Sequence, residues 1–356
     1  MYDYLVIIDD LLMWYEREKR ELKWRTNPLP YYVWVSEIML QQTRVEAVKA
    51  YFERFTKAFP QIEDLAEAPE EKLMKLWEGL GYYSRVRNLG KAAKQVMEDY
   101  EGILPNRYEE LRKLPGIGSY TAGAISSIAY GYSVPAVDGN VLRVTKRLAG
   151  SYEDISKAKV KSELERVLQD TMVTKFGEHG GEPAGAFNQA MMELGAMVCI
   201  PNGKPLCEKC PVQKYCVAYK KNIAMEIPVK APKKARRIEE KTIFIFEYDG
   251  KVAIHKRPEK GLLAKLWEFP NTEDKLTIPK AEKLLEDHAI TDYEMELLGE
   301  AKHIFSHVEW HMLGYRILIQ QKNSGKMEDI FPELIWVPRI ELEEIYALPT
   351  AFSAYR

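Results

Sequence analysis

The sequence lacks the features that would send a chain into or across a membrane. No apolar run within its 356 residues approaches the length of a membrane span. Acidic Asp3, Asp9 and Asp10 lie near the start, where a signal peptide would need a basic region. We therefore expect an intracellular, cytoplasmic protein of bacterial type with no membrane partner.

A strong net charge, internal repeats and low-complexity tracts are also absent. The 51 basic and 53 acidic residues nearly cancel, to a formal charge of −2. This balance does not indicate a nucleic-acid-binding protein, so any DNA-binding surface must come from local basic patches. The basic run between Lys230 and Arg237 is one such patch, although by itself it reads more readily as a solvated linker.

Cysteine is scarce, and its four copies lie in one stretch. Cys199, Cys207, Cys210 and Cys216 have the spacing Cys-x7-Cys-x2-Cys-x5-Cys. Four thiolates within one short segment are the donors of an iron–sulfur cluster or of a structural zinc site, and the spacing alone does not choose between them. Disulfides are disfavoured because they belong to secreted chains.

The pattern of apolar residues divides the chain in two. Helical periodicity, broken by turn signals, extends from residue 1 to about residue 220. Within it, Thr43-Arg-Val-Glu46 is predicted to be a capping box. Beyond residue 240, Asp249-Gly250 between two apolar runs indicates a hairpin, residues 308–312 alternate like a strand, and 279–288 suggest a helix. We predict an all-α domain over 1–220, a linker over 221–240 and a smaller α+β domain over 241–356.

Glu37 is the first candidate for chemistry. It is the one residue charged at neutral pH in the apolar and aromatic stretch Tyr31–Leu40. Burial would raise the pKa of its carboxyl, as a general acid requires. Pairing with a buried arginine, or escape to the surface, is an equally good reading of this segment alone.

Asp138 is the second candidate. It lies at a turn before a helical pattern, where it would act as an N-cap, and the helix N–H groups would lower its pKa. Capping alone is the simplest interpretation of an isolated aspartate. Together with Glu37, however, it supplies two carboxyls with diverging pKa values. One would protonate a leaving group and the other stabilise an oxocarbenium-like centre during glycosidic cleavage.

Gly116 and Gly118 lie between two helical patterns, where backbone N–H groups could approach an anion such as a DNA phosphate. Most such turns merely connect helices, so this evidence is weak by itself.

Taken together, the motifs resemble those of the MutY-type adenine DNA glycosylases, in the helix-hairpin-helix superfamily that also contains endonuclease III. The motifs that carry the resemblance, besides the cysteine cluster, are Trp24-Arg25, Ser36-Glu-Ile-Met-Leu-Gln-Gln-Thr43, Gly79-Leu-Gly-Tyr-Tyr83, Leu114-Pro-Gly-Ile-Gly118 and Val137-Asp-Gly-Asn140. The resemblance covers the whole chain, because residues 241–356 are similar to that family's Nudix-like recognition domain.

The resemblance implies excision of adenine paired with 8-oxoguanine or guanine in duplex DNA, by a nucleoid-associated monomer carrying a [4Fe–4S] cluster. It assigns a role to each motif residue. The catalytic residues would be Glu37, Asp138, Tyr120 and Asn140. The adenine pocket would be lined by Trp24, Arg25 and Gln189. The DNA contacts would come from Gln42, Thr43, Tyr82, Gly116 and Gly118, with Gln42 and Tyr82 inserting into the duplex. The base opposite would be read by Phe305, Ser306 and His307. The cluster ligands would be Cys199, Cys207, Cys210 and Cys216.

Tyr120 bears on the type of reaction. Relatives that also cleave the strand carry a lysine at this place, whose amine forms an imine with the sugar. A tyrosine cannot form that imine, so we expect base excision with little or no lyase activity.

The sequence departs from the family pattern at two places. Seven residues instead of six separate Cys199 from Cys207, and the stretch Gly177–Pro183 is longer than usual. In addition, the glutamate-rich Nudix helix is missing from Pro279–Ile290, so the C-terminal domain should bind rather than hydrolyse. Three other functions are disfavoured. Thymine–guanine mismatch glycosylases generally lack the C-terminal domain, the presence of both carboxyls argues against a non-catalytic lesion sensor, and the missing glutamates argue against a C-terminal pyrophosphohydrolase.

Overall fold

The computed structural model describes residues 2–232, 235–288, 290–320 and 334–356. The chain forms two compact units: a first unit of Met1–Glu67 and Asn88–Pro232, and a second unit of Ala68–Arg87 and Lys233–Arg356. Within the described ranges, no helix has the length and apolar character needed to cross a membrane.

Helices form the chain up to residue 220. Their bounds are α1 Ile8–Glu18, α2 Lys23–Thr26, α3 Pro30–Leu40, α4 Val45–Ala58, α5 Ile62–Glu67, α6 Glu70–Leu76, α7 Ser84–Asp99, α8 Tyr108–Leu111, α9 Ser119–Ala124, α10 Gly139–Ala149, α11 Ala158–Phe176, α12 Glu182–Met197 and α13 Val217–Lys220. The predicted all-α character of this part of the chain is thus confirmed, and the predicted domain bounds stay a prediction. Side chains of α1, α10, α11 and α12 share one buried core.

Helices α3 and α4 follow from their sequence patterns. Helix α4 buries Val48, Phe52 and Phe55, which lie on one face at helical spacing. Helix α3 is apolar almost all round and is buried accordingly. The predicted capping box is wrong, because α4 begins one residue later than a box would require. Arg44 is its N-cap, and no side chain caps the helix.

Helices α8 and α9 and the turn between them form the predicted hairpin. Gly116 has φ of +79°, and a Cβ added there would lie 2.8 Å from the Cβ of Asn88. Gly118 is the N-cap of α9 with φ of −87° and has open space around it. Only Gly116 therefore requires glycine for the fold. After α9 the chain continues as a π-helical turn over Ile125–Ala129.

A mixed sheet forms the centre of the second unit. Its strands are β1 Arg237–Tyr248, β2 Lys251–Lys256, β3 Trp267–Glu268, β4 Asn271–Thr272, β5 Tyr293–Ile304, β6 Val308–Ile319 and β7 Ile335–Pro338. The order is β3-β2-β1-β6-β5, with β4 on β1 and β7 on β2. Strands β1 and β6 are parallel, and the other pairs are antiparallel.

Both faces of this sheet are covered. Ile243 and Ile245 of β1 belong to one buried cluster, whereas Phe244 and Phe246 belong to another. Helices α14 (Ile278–Asp287) and α15 (Arg339–Glu344) complete the unit. The predicted α+β class and the hairpin are confirmed, with Asp249 and Gly250 both at positive φ as its tight turn requires. The predicted linker bounds stay a prediction.

Candidate active site and thiol cavity

A cavity of about 330 Å³ lies in the first unit, near the lower end of the range for small-ligand pockets. It brings together residues that are far apart in the sequence. The predicted site residues in its lining are Trp24, Arg25, Glu37, Thr43, Tyr120, Asp138, Asn140 and Gln189. The predicted catalytic and adenine-pocket residues therefore share one cavity.

Glu37 lies on α3 and is only 5% exposed. The Tyr120 hydroxyl donates a hydrogen bond to its Oε2. Burial raises the pKa of the Glu37 carboxyl to about 7, against the lowering effects of the Tyr120 hydrogen bond and the Arg25 charge. The predicted burial is confirmed, and the carboxyl can hold a proton at neutral pH.

Tyr120 is a neutral donor in this arrangement. Burial, together with the nearby carboxyls, raises the pKa of its phenol well above the ordinary value. Its hydroxyl oxygen also lies 3.1 Å from the sulfur of Met192. The phenol is thus held between α3 and α12 and keeps its proton.

Asp138 is the N-cap of α10, as predicted: its Oδ1 accepts from the Val141 backbone N–H at 2.8 Å. Its Oδ2 accepts from Asn140 Nδ2 at 2.7 Å. The expected direction of its pKa is nevertheless wrong. Burial raises the pKa of Asp138 and outweighs the lowering effect of these hydrogen bonds. Both carboxyls are therefore shifted in the same direction.

Helix α10 connects this site with the cysteines. Arg143 Nη2 donates to Asn140 Oδ1 at 2.8 Å, and Arg143 Nε donates to the Cys199 carbonyl at 2.8 Å. One turn further, Arg147 Nη1 lies 3.3 Å from Cys199 Sγ. The helix that carries Asp138 and Asn140 is thus bonded to the first cysteine.

Glu193 is a cavity residue that sequence reasoning missed. Its side chain is 1% exposed and forms ion pairs with Arg20 and Arg25. Burial acts to raise the pKa of the Glu193 carboxyl, but the hydrogen bonds and charges of Arg20 and Arg25 outweigh it and hold the pKa at about 2. The available signal was its spacing: Glu193 follows Gln189 by one helical turn, within the apolar run of α12.

The four cysteines line a second, small cavity of about 30 Å³ in the first unit. Burial raises the pKa of the thiols of Cys207, Cys210 and Cys216. Among the described residues, no three His, Cys, Asp or Glu side chains are grouped closely enough for a single metal ion.

The longer spacing after Cys199 is accommodated at the surface. Residues 201–204 are exposed, and Gly203 has φ of +77°. A hydrogen bond of 2.9 Å from the Leu206 N–H to the Val198 carbonyl closes the loop. Cys199 and Cys207 therefore line the same cavity despite the extra residue.

The long stretch over 177–183 packs beside the segment that leads to Asp138. The Ser133 N–H donates to the Glu178 carbonyl at 3.0 Å, and the Gly181 N–H donates to the Gly131 carbonyl at 2.9 Å. The rings of His179 and Tyr132 make an edge-to-face contact, with ring centres 4.7 Å apart. Backbone hydrogen bonds thus join this stretch to the loop that precedes Asp138.

The two predicted inserting residues have a strained backbone. Gln42 has φ of 60° and is exposed, and Tyr82 has φ of 48° and is 48% exposed. Left-handed backbone is unfavourable for residues other than glycine and is concentrated at functional sites.

A cavity of about 510 Å³ in the second unit brings Tyr82 together with Phe305, Ser306 and His307. The three latter residues form the turn between β5 and β6, closed by the Phe305 N–H and the Val308 carbonyl at 2.8 Å. Phe305 packs edge-on against the buried Trp310, while Ser306 and His307 are exposed. The loop is thus anchored by its aromatic residue and presents polar atoms.

Comparisons with known proteins agree with this architecture. Residues 35–170 match the HhH-GPD superfamily base excision DNA repair protein, and residues 242–355 match the NUDIX domain. A structure of a thermostable thymine-DNA glycosylase superposes with a TM-score of 0.53 and 28% identity, over 61% of this chain and 96% of that one. A trapped endonuclease III–DNA covalent intermediate gives 0.50 and 26%, over the same shares.

The fold and the carboxyl-lined cavity define a helix-hairpin-helix base-excision DNA repair protein with a C-terminal Nudix-like domain. The adenine DNA glycosylase of Mus musculus is 35% identical over 376 residues, covering 88% of this chain and 70% of that protein. This chain belongs to the adenine DNA glycosylase family.

Proposed function

We propose that this protein is a monofunctional glycosylase that removes adenine opposite 8-oxoguanine, or opposite guanine, in duplex DNA. The observation that carries the proposal is the buried Glu37–Tyr120–Asp138 arrangement in a cavity of small-ligand size. The target nucleotide must leave the stack to enter such a cavity, because its glycosidic bond is out of reach inside the duplex.

Glu37 is the general acid of the proposed reaction. Because burial raises the pKa of its carboxyl to about 7, Glu37 can hold a proton to donate at neutral pH. It gives its proton to N7 of adenine, and the bond between C1′ and N9 breaks with its electrons going to the base. Tyr120 holds one carboxyl oxygen by its hydrogen bond, which leaves the other to face the substrate.

Asp138 stabilises the positive charge that develops at C1′. Its two oxygens are fixed by the Val141 N–H and the Asn140 amide, so its position is set before substrate arrives. A water molecule supplies the oxygen that ends on C1′, and its proton returns a carboxyl to the acid form. Tyr120 supports this hydrolytic route, because a phenol cannot form an imine.

The four cysteines are proposed to hold a [4Fe–4S] cluster. Their convergence on one cavity and the Arg147 guanidinium beside Cys199 Sγ fit a group that carries negative charge on sulfur. When bound, the cluster would cross-link the four cysteines of the segment 199–216, whose first cysteine is bonded to α10 through Arg143 and Arg147. The lysines of this segment then form a fixed basic surface for DNA.

The second unit is proposed to read the base opposite adenine. Ser306 is the best-placed residue for the distinguishing atoms of 8-oxoguanine, since its hydroxyl is exposed in the same cavity as Tyr82. The proposed partner is accordingly double-stranded DNA. We propose that the protein acts on it in the cytoplasm and as a monomer.

The test is single-turnover cleavage of duplexes that carry adenine opposite 8-oxoguanine, adenine opposite guanine, or thymine opposite guanine, followed by alkali. We expect fast loss of adenine opposite 8-oxoguanine, with strand breaks only after alkali. Glu37→Gln should abolish excision and leave duplex binding nearly intact, because the geometry survives and the proton donor is lost. Iron and sulfide analysis of the same preparation tests the cluster.

Other outcomes would overturn the proposal in different ways. Preferred loss of thymine would assign the chain to the thymine–guanine branch, which the similarity to a thymine-DNA glycosylase structure makes the main rival. Tight lesion binding without excision of any base would make it a sensor. Excision retained by Glu37→Gln would remove Glu37 from its role.

A further inference from the structure

Glu193 forms an ion-pair cluster with Arg20 and Arg25 in the lining of the active-site cavity. Its Oε1 accepts from the Arg20 backbone N–H at 3.3 Å and from Arg20 Nε at 2.6 Å. Its Oε2 accepts from Arg20 Nη2 at 2.8 Å and from Arg25 Nη2 at 2.8 Å. Two guanidinium groups therefore converge on one buried carboxylate.

Arg25 is the shared cation of two buried carboxyls. Its charge acts on Glu37, yet its ion pair is made with Glu193. Its Nη1 also donates to the Arg20 carbonyl at 3.3 Å, and its guanidinium lies 5.9 Å from the centre of the Tyr15 ring. These contacts fix the guanidinium on the Glu193 side of the cavity.

The arrangement matters because a general acid must keep its proton. An arginine that pairs directly with a carboxyl lowers its pKa by about 1–3 units, and a carboxyl so paired is an anion at neutral pH. Arg25 and Glu37 line the same cavity, and the Arg25 charge already acts to lower the pKa of the Glu37 carboxyl. The protonation state of the Glu37 carboxyl therefore depends on where the Arg25 guanidinium is held.

Given the proposed function, we propose that Glu193 is a positioning residue: it holds the Arg25 guanidinium away from Glu37, so that Glu37 remains a proton donor. Glu193 does not touch the reacting atoms in this role. It acts through Arg25, and Arg20 fixes it in turn.

The other charged groups around Glu37 do not share this arrangement. Tyr120 of α9 donates to Glu37 directly, and Asp138 at the start of α10 repels its anion. Arg20 is bound to Glu193, and Arg44 lines the same cavity from the segment before α4. Arg25 is thus the cation whose partner can be removed without changing a direct contact of Glu37.

The main experiment is the pH profile of single-turnover excision by Glu193→Gln, with enzyme in excess over DNA. Excision requires protonated Glu37, so the rate falls as pH rises through its titration. Release of Arg25 should move this midpoint downward by about one pH unit. The variant should then be about tenfold slower than the wild type at about pH 8, with little of that difference at about pH 5.

A second measurement does not depend on excision. Carbon-13 NMR of labelled glutamate carboxyls in the DNA-free protein follows Glu37 directly, with its signal assigned by loss in Glu37→Gln. The same downward movement of the midpoint is expected in Glu193→Gln. If the wild type excised no adenine, the NMR titration would still test Glu193, so the two proposals fail separately.

The matched control is Glu247→Gln in the second unit, because Glu247 also accepts from two arginines, Arg316 and Arg339. It should leave the Glu37 midpoint unchanged. A rate that falls equally at every pH in Glu193→Gln would show a merely structural role and overturn the proposal.

A further variant covers the case in which Glu193→Gln does not fold. Arg25→Gln leaves Glu193 paired with Arg20 and should move the midpoint by less than about half a pH unit, since Arg25 is held off Glu37 already. An upward movement of a full pH unit or more would mean that Arg25 pairs with Glu37 in the wild type, which the proposal forbids.

Discussion

At the scale of single residues, burial is what makes Glu37 chemically useful. Its position in an apolar run made a buried carboxyl with a raised pKa one of two equally good readings, and the structure agrees with that reading. The same reasoning failed for Asp138, because capping could be read from the sequence whereas burial could not. The residues that enclose Asp138 come from distant parts of the chain, and desolvation outweighs the cap.

The raised pKa of Glu37 predicts a pH-dependent cost in stability. Below pH 4.5, the ordinary pKa, the carboxyl is neutral in the folded and unfolded states alike. As pH rises toward about 7, the unfolded chain releases this proton while the folded protein keeps it, so stability is lost over this window. The total loss is about 3 kcal/mol, because a tenfold change in proton affinity corresponds to about 1.4 kcal/mol.

Glu37→Gln cannot ionise and should not show this loss. Relative to the wild type, its free energy of unfolding should therefore rise by about 3 kcal/mol between about pH 4.5 and about pH 8. Denaturant titrations of both proteins across that range provide the measurement. A difference that stays constant with pH would mean that Glu37 titrates normally in the folded protein.

At the scale of secondary-structure elements, most of the helices, the β1–β2 hairpin and strand β6 could be predicted from periodicity and turn residues. The capping box could not, because Thr43 matches the motif but precedes the N-cap by one residue. Glu193 was missed for a related reason. Its partners Arg20 and Arg25 lie more than 160 positions away along the chain, as the separations of 173 and 168 show.

The hairpin between α8 and α9 allows a matched pair of substitutions. Gly116→Ala would place a Cβ at positive φ and 2.8 Å from the Asn88 Cβ, so we expect a loss of about 1–3 kcal/mol in unfolding free energy. Gly118→Ala meets open space at ordinary φ. As alanine is a poorer N-cap than glycine, it should cost at most about 1 kcal/mol.

Denaturant unfolding compares the two variants, and their DNA affinity reports on the shape of the hairpin. Gly116→Ala should lose the more affinity, since the turn must shift to admit the methyl group. Equal stability of the two variants would show that the turn tolerates the added Cβ.

At the scale of the whole molecule, chemistry and recognition are proposed for different units. The first unit holds the carboxyls and the thiols, and the second holds the loop with Ser306. The overall charge of −2 gave no hint of a DNA partner. The order of short motifs along the chain did indicate a DNA partner, because together these motifs carry the resemblance to DNA glycosylases. By contrast, the position of Arg25 in one cavity with Glu37 and Glu193 could not be predicted from the sequence, because it depends on how distant segments fold together.

This division predicts a selective effect of Ser306→Ala. The substitution removes a hydroxyl from the second cavity and leaves Glu37, Tyr120 and Asp138 unchanged. Preference for 8-oxoguanine over guanine opposite adenine should fall by about 5- to 10-fold, as the loss of one hydrogen bond of about 1–1.5 kcal/mol implies. The rate of excision opposite guanine should change much less. Ser353→Ala, an exposed serine of the same unit outside the cavity lining, is the matched control. Single-turnover rates on both duplexes provide the comparison, and an equal loss on both would assign Ser306 to folding or general DNA binding instead of base recognition.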